Sequence, residues 1–418
     1  MSRDPRLDRA LLTRTDHIRG ARGGRGGQRT GFGRSLLRVD LGLFIGAAGL
    51  SAIGVLLVWS ATHVTHGSSL ALRQALSVVV GMVAAVAVTR LDMRVVRAMA
   101  PVVYLLAVLG LAAVVSPLGT TVNGSRSWIR LPGGFTLQPS ELMKVALAIG
   151  LAMLLAERSD RFGPSPPFRA SGRGPGRVRQ RQRHRDVTLA WVVAGIPIVA
   201  VLAQPDLGSA VVLVAMAVVI IATAGAPPVW TVGVSLAGVG VVLAAFLTPI
   251  LSGYQRNRLR AFLDPSLDPQ GIGYQTRQVR IAIGSGGLGG QGLFEGRQTQ
   301  GGFIPFQETD FVFSVVGEEL GFIGAVGVIV LIAFIVVRAM LVAGRVDAFG
   351  RLVVTGIAVW FGVQAFENIG MNLGITPVTG LPLPFVSYGG SSMVAAWIAV
   401  GLVGKVSSVR RLPGSEGQ

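Results

Sequence analysis

The chain of 418 residues has no cysteine. That excludes a disulfide framework, a thiolate metal site and a cysteine nucleophile. Charge is also scarce, at 14% of residues, where ordinary soluble domains carry roughly a quarter. Lysine is nearly missing: Lys144 and Lys405 are the only two. With 51% hydrophobic residues and a mean hydropathy of +0.61, these shortages argue against a soluble globular enzyme. The remaining charge is strongly positive, +18 net. It sits as arginine in tails and loops between apolar runs, which is the pattern of membrane topology. No nucleic-acid partner is expected.

A membrane helix needs about 20 apolar residues to cross roughly 30 Å of hydrocarbon. Ten segments qualify: 41–61, 70–89, 96–116, 141–156, 187–203, 208–224, 229–251, 311–337, 352–375 and 385–403. The first begins too far from the N-terminus, and is too long, for a cleaved signal peptide. Ten arginines lie in residues 1–40 and nine in Glu157–Asp186. Arg90, Arg94, Arg97, Arg338, Arg345, Arg351, Lys405, Arg410 and Arg411 flank further loops on the same side. The positive-inside rule makes that side cytoplasmic. The sequence therefore predicts an all-α polytopic membrane protein of about ten transmembrane helices. Both termini are cytoplasmic. Residues 1–40 form a basic, disordered tail, 41–405 the transmembrane domain, 157–186 a basic cytoplasmic loop and 406–418 a second tail.

Residues 252–310 form a large extracytoplasmic loop between the seventh and eighth helices. At about 60 residues it is far longer than the roughly 15 beyond which a loop is usually functional or disordered. It breaks the charge rule with Arg256, Arg258, Arg260, Arg277, Arg280 and Arg297. Arginines placed against the topogenic bias suggest that an anion is bound there. Gly284-Ser-Gly-Gly-Leu-Gly289 matches a dinucleotide fingerprint literally, but no strand–turn–helix unit surrounds it. A glycine-rich bend that could offer N–H groups to a phosphate is the better reading.

Asp310 ends this loop at the entry to the eighth helix, where it serves either as a helix N-cap or as a general base beside the arginine-bearing loop. Glu308 is the nearby alternative. At the start of the fourth helix, Glu141 and Lys144 are three residues apart and share a face. They form an intramembrane ion pair facing a polar cavity, or else Lys144 snorkels to the outer interface. Trp128, between Arg126 and Arg130, is an interfacial anchor or a surface on which a sugar stacks. Glu318, Glu319, Glu367, Asn368 and Asn372 lie in or near membrane helices, where interhelical hydrogen-bond glue is one reading. The proline- and glycine-rich stretch Pro377–Ser392, which includes Ser387, reads as a re-entrant turn lining a cavity.

Nine segments in order resemble the SEDS family (shape, elongation, division and sporulation) of bacterial cell-wall polymerases. They are Arg126-Ser-Trp-Ile, Gln138-Pro-Ser-Glu-Leu-Met-Lys144, Gln204-Pro-Asp-Leu-Gly208, Tyr254-Gln-Arg-Asn-Arg258, Ile281-Ala-Ile-Gly-Ser-Gly-Gly-Leu288, Thr309-Asp-Phe-Val-Phe313, Gly317-Glu-Glu-Leu-Gly321, Asn368-Ile-Gly-Met371 and Pro382-Leu-Pro-Phe-Val-Ser-Tyr-Gly-Gly390. Phe262–Pro269 and Gly296–Gln300 look more like the elongation branch than the division branch. The resemblance implies a peptidoglycan glycosyltransferase that joins lipid II, a polyprenyl-linked donor, into glycan. It also implies a class B penicillin-binding protein as partner and Asp310 as the catalytic carboxylate. Family members usually carry His two residues before that Asp, where this chain has Glu308.

The expected reaction is inverting. An acceptor 4-hydroxyl gives its proton to Asp310, and pyrophosphate leaves toward Lys144, Arg256, Arg258, Arg277 and Arg280. Trp128, Arg126, Glu141 and Ser387 complete the expected substrate-binding set. A divalent cation (Mg or Mn) is the one cofactor considered. A lipid II flippase and a non-catalytic scaffold are the competing readings.

Overall fold

The structure, a computed structural model, describes residues 40–122, 125–130, 132, 135–162, 177–247, 262, 264 and 271–408. The basic tail 1–39, the middle of the basic loop, Arg256, Arg258 and the last ten residues lie outside the described residues.

In chain order the elements are α1 (Leu41–His66), α2 (Ser69–Arg90), α3 (Met93–Val115), β1 (Gly119–Val122), β2 (Ser125–Arg130), β3 (Thr136–Leu137), α4 (Pro139–Phe162), α5 (Arg177–Leu202), α6 (Leu207–Thr223), α7 (Pro228–Leu247), α8 (Ile272–Ser285), α9 (Arg297–Gln300), α10 (Val312–Glu319), α11 (Gly321–Ala343), α12 (Ala348–Leu373) and α13 (Gly390–Ser408). Among the described residues eight helices are long and apolar enough to cross a membrane: α1 to α5 and α11 to α13. The apolar helices α6 and α7 are shorter over their described parts. The chain is thus a mostly helical, polytopic membrane protein.

The first N–H groups of a helix have no intrahelical partner. Asp40, Asp206 and Asp347 supply one at the starts of α1, α6 and α12. Their carboxylates accept from the N–H of Leu43 (3.2 Å), Ser209 (3.0 Å) and Gly350 (3.0 Å). Polar contacts also separate the two ends of the bundle. At the predicted cytoplasmic end, Arg338 pairs with Asp40 at 2.7 Å and Arg97 with Asp347 at 3.0 Å. At the other end lie the sheet β1-β2-β3, α8 to α10 and the segment 374–389.

Three predicted spans need correction. The single span 311–337 is two helices: α10 ends at Glu319, and α11 starts after Leu320. Gly321 sits at φ 66°, and a Cβ there would collide with the Gly290 nitrogen, so the chain turns instead of running straight. The span 352–375 starts earlier, at Ala348, because Asp347 caps it, and stops at Leu373 before the left-handed Gly374 (φ 73°). The span predicted from Phe385 becomes helical only at Gly390, because Phe385 itself sits at φ 67°, outside helical backbone.

The helices approach closely where side chains are small. A Cβ on Gly81 would lie 2.9 Å from Trp397, and one on Gly401 would lie 2.6 Å from the Ala85 carbonyl. These two glycines let α2 and α13 pack nearly backbone to backbone.

Candidate active site

α12 carries the site's framework. Gln364, Asn368 and Asn372 recur every four residues, so one face of an otherwise apolar helix is lined with side-chain amides. All three are buried. Gln364 Oε1 accepts from Lys144 Nζ (2.7 Å) and from the Trp360 indole (2.6 Å), while its Nε2 donates to the Pro382 carbonyl (2.8 Å). Asn368 Nδ2 donates to the carbonyls of Leu381 (2.7 Å) and Asp310 (2.9 Å). Asn372 Nδ2 donates to the Asp310 and Asn368 carbonyls, and its Oδ1 accepts from the Ser314 N–H at 3.2 Å. The ladder therefore ties the irregular segment after α12 to the start of α10.

Asp310 is half-buried, one residue before the N-cap of α10. Phe311 holds the cap position and contributes no side-chain bond. The Ser314 N–H donates both to the Phe311 carbonyl (2.9 Å) and to Asn372 Oδ1 (3.2 Å). Its main chain is held from two directions. The two asparagines hold the Asp310 carbonyl, Ser387 Oγ donates to the Thr309 carbonyl (2.6 Å), and the Tyr388 N–H donates to the Glu308 carbonyl (2.8 Å). Ser387 therefore grips the backbone beside Asp310. Glu308 is half-buried next to it.

Lys144 and Glu141 are both fully buried, with Lys144 Nζ 2.6 Å from Glu141 Oε1. Lys144 does not snorkel: its ammonium lies 5.4 Å from the centre of the Trp360 ring, inside the bundle. Glu141 Oε2, Glu367 Oε2 and Asn368 Oδ1 are buried with no hydrogen-bond partner among the described residues. They are acceptors, available to hydroxyl or amide donors. Beside α4, Asp206 Oδ2 accepts from Gln138 Nε2 at 3.3 Å.

The remaining expected residues are more dispersed. Arg126 spends Nε and Nη2 on the carbonyls of Gly119 (3.2 Å) and Ser116 (2.7 Å), which clips the hairpin to the end of α3. Trp128, half-buried in β2, pairs with Thr120 across that hairpin. Arg277 and Arg280 are exposed on α8, and the Arg280 guanidinium lies against Gly374 at the end of α12. The glycine-rich bend and the residues after it dock on the turn between α10 and α11. The N–H groups of Gln291 and Gly292 donate to the Glu318 and Glu319 carbonyls, and those of Phe322 and Ile323 to the Gly287 and Leu288 carbonyls. The Glu318 carboxylate accepts from the Gln298 N–H (2.7 Å), the Thr299 N–H (2.9 Å) and the Thr299 hydroxyl (2.7 Å). Ser60 donates to Glu319 at 2.6 Å. The pair Glu318-Glu319 thus fastens the last part of the long loop.

Sequence reading missed Gln364 and Gln74. The i, i+4, i+8 spacing of Gln364, Asn368 and Asn372 was a usable signal. Gln74, a lone amide near the start of an apolar helix, gave none. Among the described residues no three His, Cys, Asp or Glu side chains group to hold a metal ion. The expected divalent cation therefore finds no protein cage among the described residues.

Comparison with known proteins extends this picture. A family model described as a cell cycle protein, FTSW_RODA_SPOVE, matches residues 41–412. A probable peptidoglycan glycosyltransferase FtsW of Trichlorobacter lovleyi is 35% identical over 90% of this chain and 95% of its own length. The peptidoglycan glycosyltransferase MrdB of Escherichia coli K12 is 34% identical over 87% and 92%. Among solved structures, a chain from work on polymerization and crosslinking by a peptidoglycan synthase complex superposes with a TM-score of 0.71 at 32% identity, covering 89% of this chain and 98% of that one. The rod shape determining protein RodA of Thermus thermophilus gives 0.63 at 29%, covering 90% and 98%.

Proposed function

The chain belongs to the FtsW, RodA and SpoVE family and is a peptidoglycan glycosyltransferase; we propose that it polymerises lipid II at the outer face of the cell membrane, with Asp310 as general base. The observation that carries this reading is the way the structure treats Asp310. The carbonyls of Glu308, Thr309 and Asp310 are each fixed by a hydrogen bond from a neighbouring segment, and the Asp310 residue itself is half-exposed. A base must be held in place and yet be reachable.

In the proposed reaction the acceptor 4-hydroxyl transfers its proton to Asp310 as its oxygen attacks the donor anomeric carbon. The bond to the polyprenyl pyrophosphate breaks with inversion. On the outer face no nucleotide sugar is available, so the donor arrives activated on its lipid. Lys144, fixed by Glu141 and Gln364, is assigned to charge on the leaving pyrophosphate. Arg256, Arg258, Arg277 and Arg280 of the long loop are assigned to the same charge. Trp128 and Arg126 complete the substrate-binding set, with Arg126 using the N–H groups its hairpin leaves over, while Ser387, whose hydroxyl is spent on the Thr309 carbonyl, acts on the backbone beside Asp310.

A class B penicillin-binding protein is the proposed partner, in keeping with the likeness to a chain of a synthase complex. A role in elongation is proposed from Phe262–Pro269 and Gly296–Gln300, since relatives under both names match about equally well. Purified protein given lipid II and its partner, scored for glycan polymer, tests the reading. Production of polymer that is lost in Asp310→Asn supports it, and transport without polymer refutes it.

A further inference from the structure

Gln74 lies near the start of α2 and is fully buried. Its Nε2 donates to the Ser387 carbonyl at 2.9 Å, and its Oε1 accepts from the Gly389 N–H at 3.2 Å. One side-chain amide thus pairs with two main-chain groups of an irregular, buried segment, as a neighbouring strand would. Without it, both groups would lose these partners away from water. The residues between these two bonds face the other way. Ser387 Oγ donates to the Thr309 carbonyl, and the Tyr388 N–H donates to the Glu308 carbonyl. Ser387 Oγ also accepts from the Leu383 N–H at 2.7 Å, which closes the segment on itself.

We propose that Gln74 is a positioning residue for Asp310, acting through the Ser387–Gly389 segment; this rests on the reading of Asp310 as the base. The segment holds the backbone on the N-terminal side of Asp310, and Asn368 and Asn372 hold the Asp310 carbonyl itself. Gln74 is the anchor of the first arm. The close approach of α2 to α13 at Gly81 and Gly401 fixes its height, so the amide is presented by rigid helix rather than by loop. A small displacement of a base carries a large kinetic effect: about 1 Å is worth on the order of 100-fold.

The test compares Gln74→Met, which keeps volume and removes both bonds, with Ser387→Ala, which leaves the Gln74 bonds and removes those of the Ser387 hydroxyl to Thr309 and Leu383. Both are measured in full-length protein with its partner and lipid II. Because the Ser387 hydroxyl is spent within the protein, each variant should lose roughly 10- to 100-fold in kcat with KM for lipid II nearly unchanged, and the double variant should lose no more than the worse single one. In an Asp310→Asn background, Gln74→Met should have no further effect, because no base remains to be placed.

A folded Gln74→Met enzyme with wild-type kcat, or an equal loss in both backgrounds, overturns the proposal. If Gln74→Met does not fold, Ser387→Ala carries the decision: wild-type kcat, or a loss confined to KM, overturns it. Failure of the underlying reading looks different. In that case Asp310→Asn itself keeps the wild-type rate.

Discussion

Lys144 Nζ lies 2.6 Å from Glu141 Oε1, one turn along the same helix, and neither side chain meets solvent. Two opposite charges taken together out of water hold each other only while both remain. Removing one leaves the other buried and unpaired, at a cost of about 3–5 kcal/mol. Lys144→Met should therefore lower thermal stability in detergent clearly, and the double variant Lys144→Met with Glu141→Gln should recover much of it. Polymerisation should stay low in both if Lys144 faces the pyrophosphate. A double variant that regains both stability and activity would make the pair purely structural.

The helix framework was legible because apolar run length and arginine placement depend only on the bilayer. The breaks were harder to read. Hydropathy passes straight through Glu318-Glu319-Leu320-Gly321, since the flanking residues are apolar on both sides. The turn there comes from the backbone conformation of Gly321 and from the demands of a loop segment some 20 residues earlier in the chain. In the same way, Asp310 and the Glu141–Lys144 pair stood out as charges in apolar surroundings. Gln74 acts through main-chain groups more than 300 residues away, and no local pattern announces such a contact.

Topology gives a second prediction. The arginine asymmetry puts Arg181 in the cytoplasm and Gln300 outside. The chain has no native cysteine, so Arg181→Cys and Gln300→Cys can each be probed with an impermeant maleimide in intact cells. Only Gln300→Cys should label. Labelling of Arg181→Cys from outside would reverse the topology and move the proposed chemistry to the wrong face.

A third prediction concerns the fastening of the long loop. Gly290 has φ 84°, and a Cβ there would meet the Glu319 carbonyl. Gly290→Ala should therefore destabilise by more than about 1 kcal/mol. Glu318→Ala leaves the Gln298 and Thr299 N–H groups without their acceptor and should cost about 1–3 kcal/mol or more. Limited proteolysis between α8 and α10, together with thermal stability, checks both. Wild-type protection in both variants would contradict the docking described here.

The most direct measurement of the central claim is polymerisation by Asp310→Asn. The substitution keeps size and removes the base. Asn also serves at helix starts, so α10 should be little disturbed. The enzyme should fold, bind its partner and lose roughly 100- to 10,000-fold in rate, while Glu308→Gln shows a milder loss. A stable Asp310→Asn protein that makes glycan from lipid II at the wild-type rate would contradict the account and send the search for the base to Glu308.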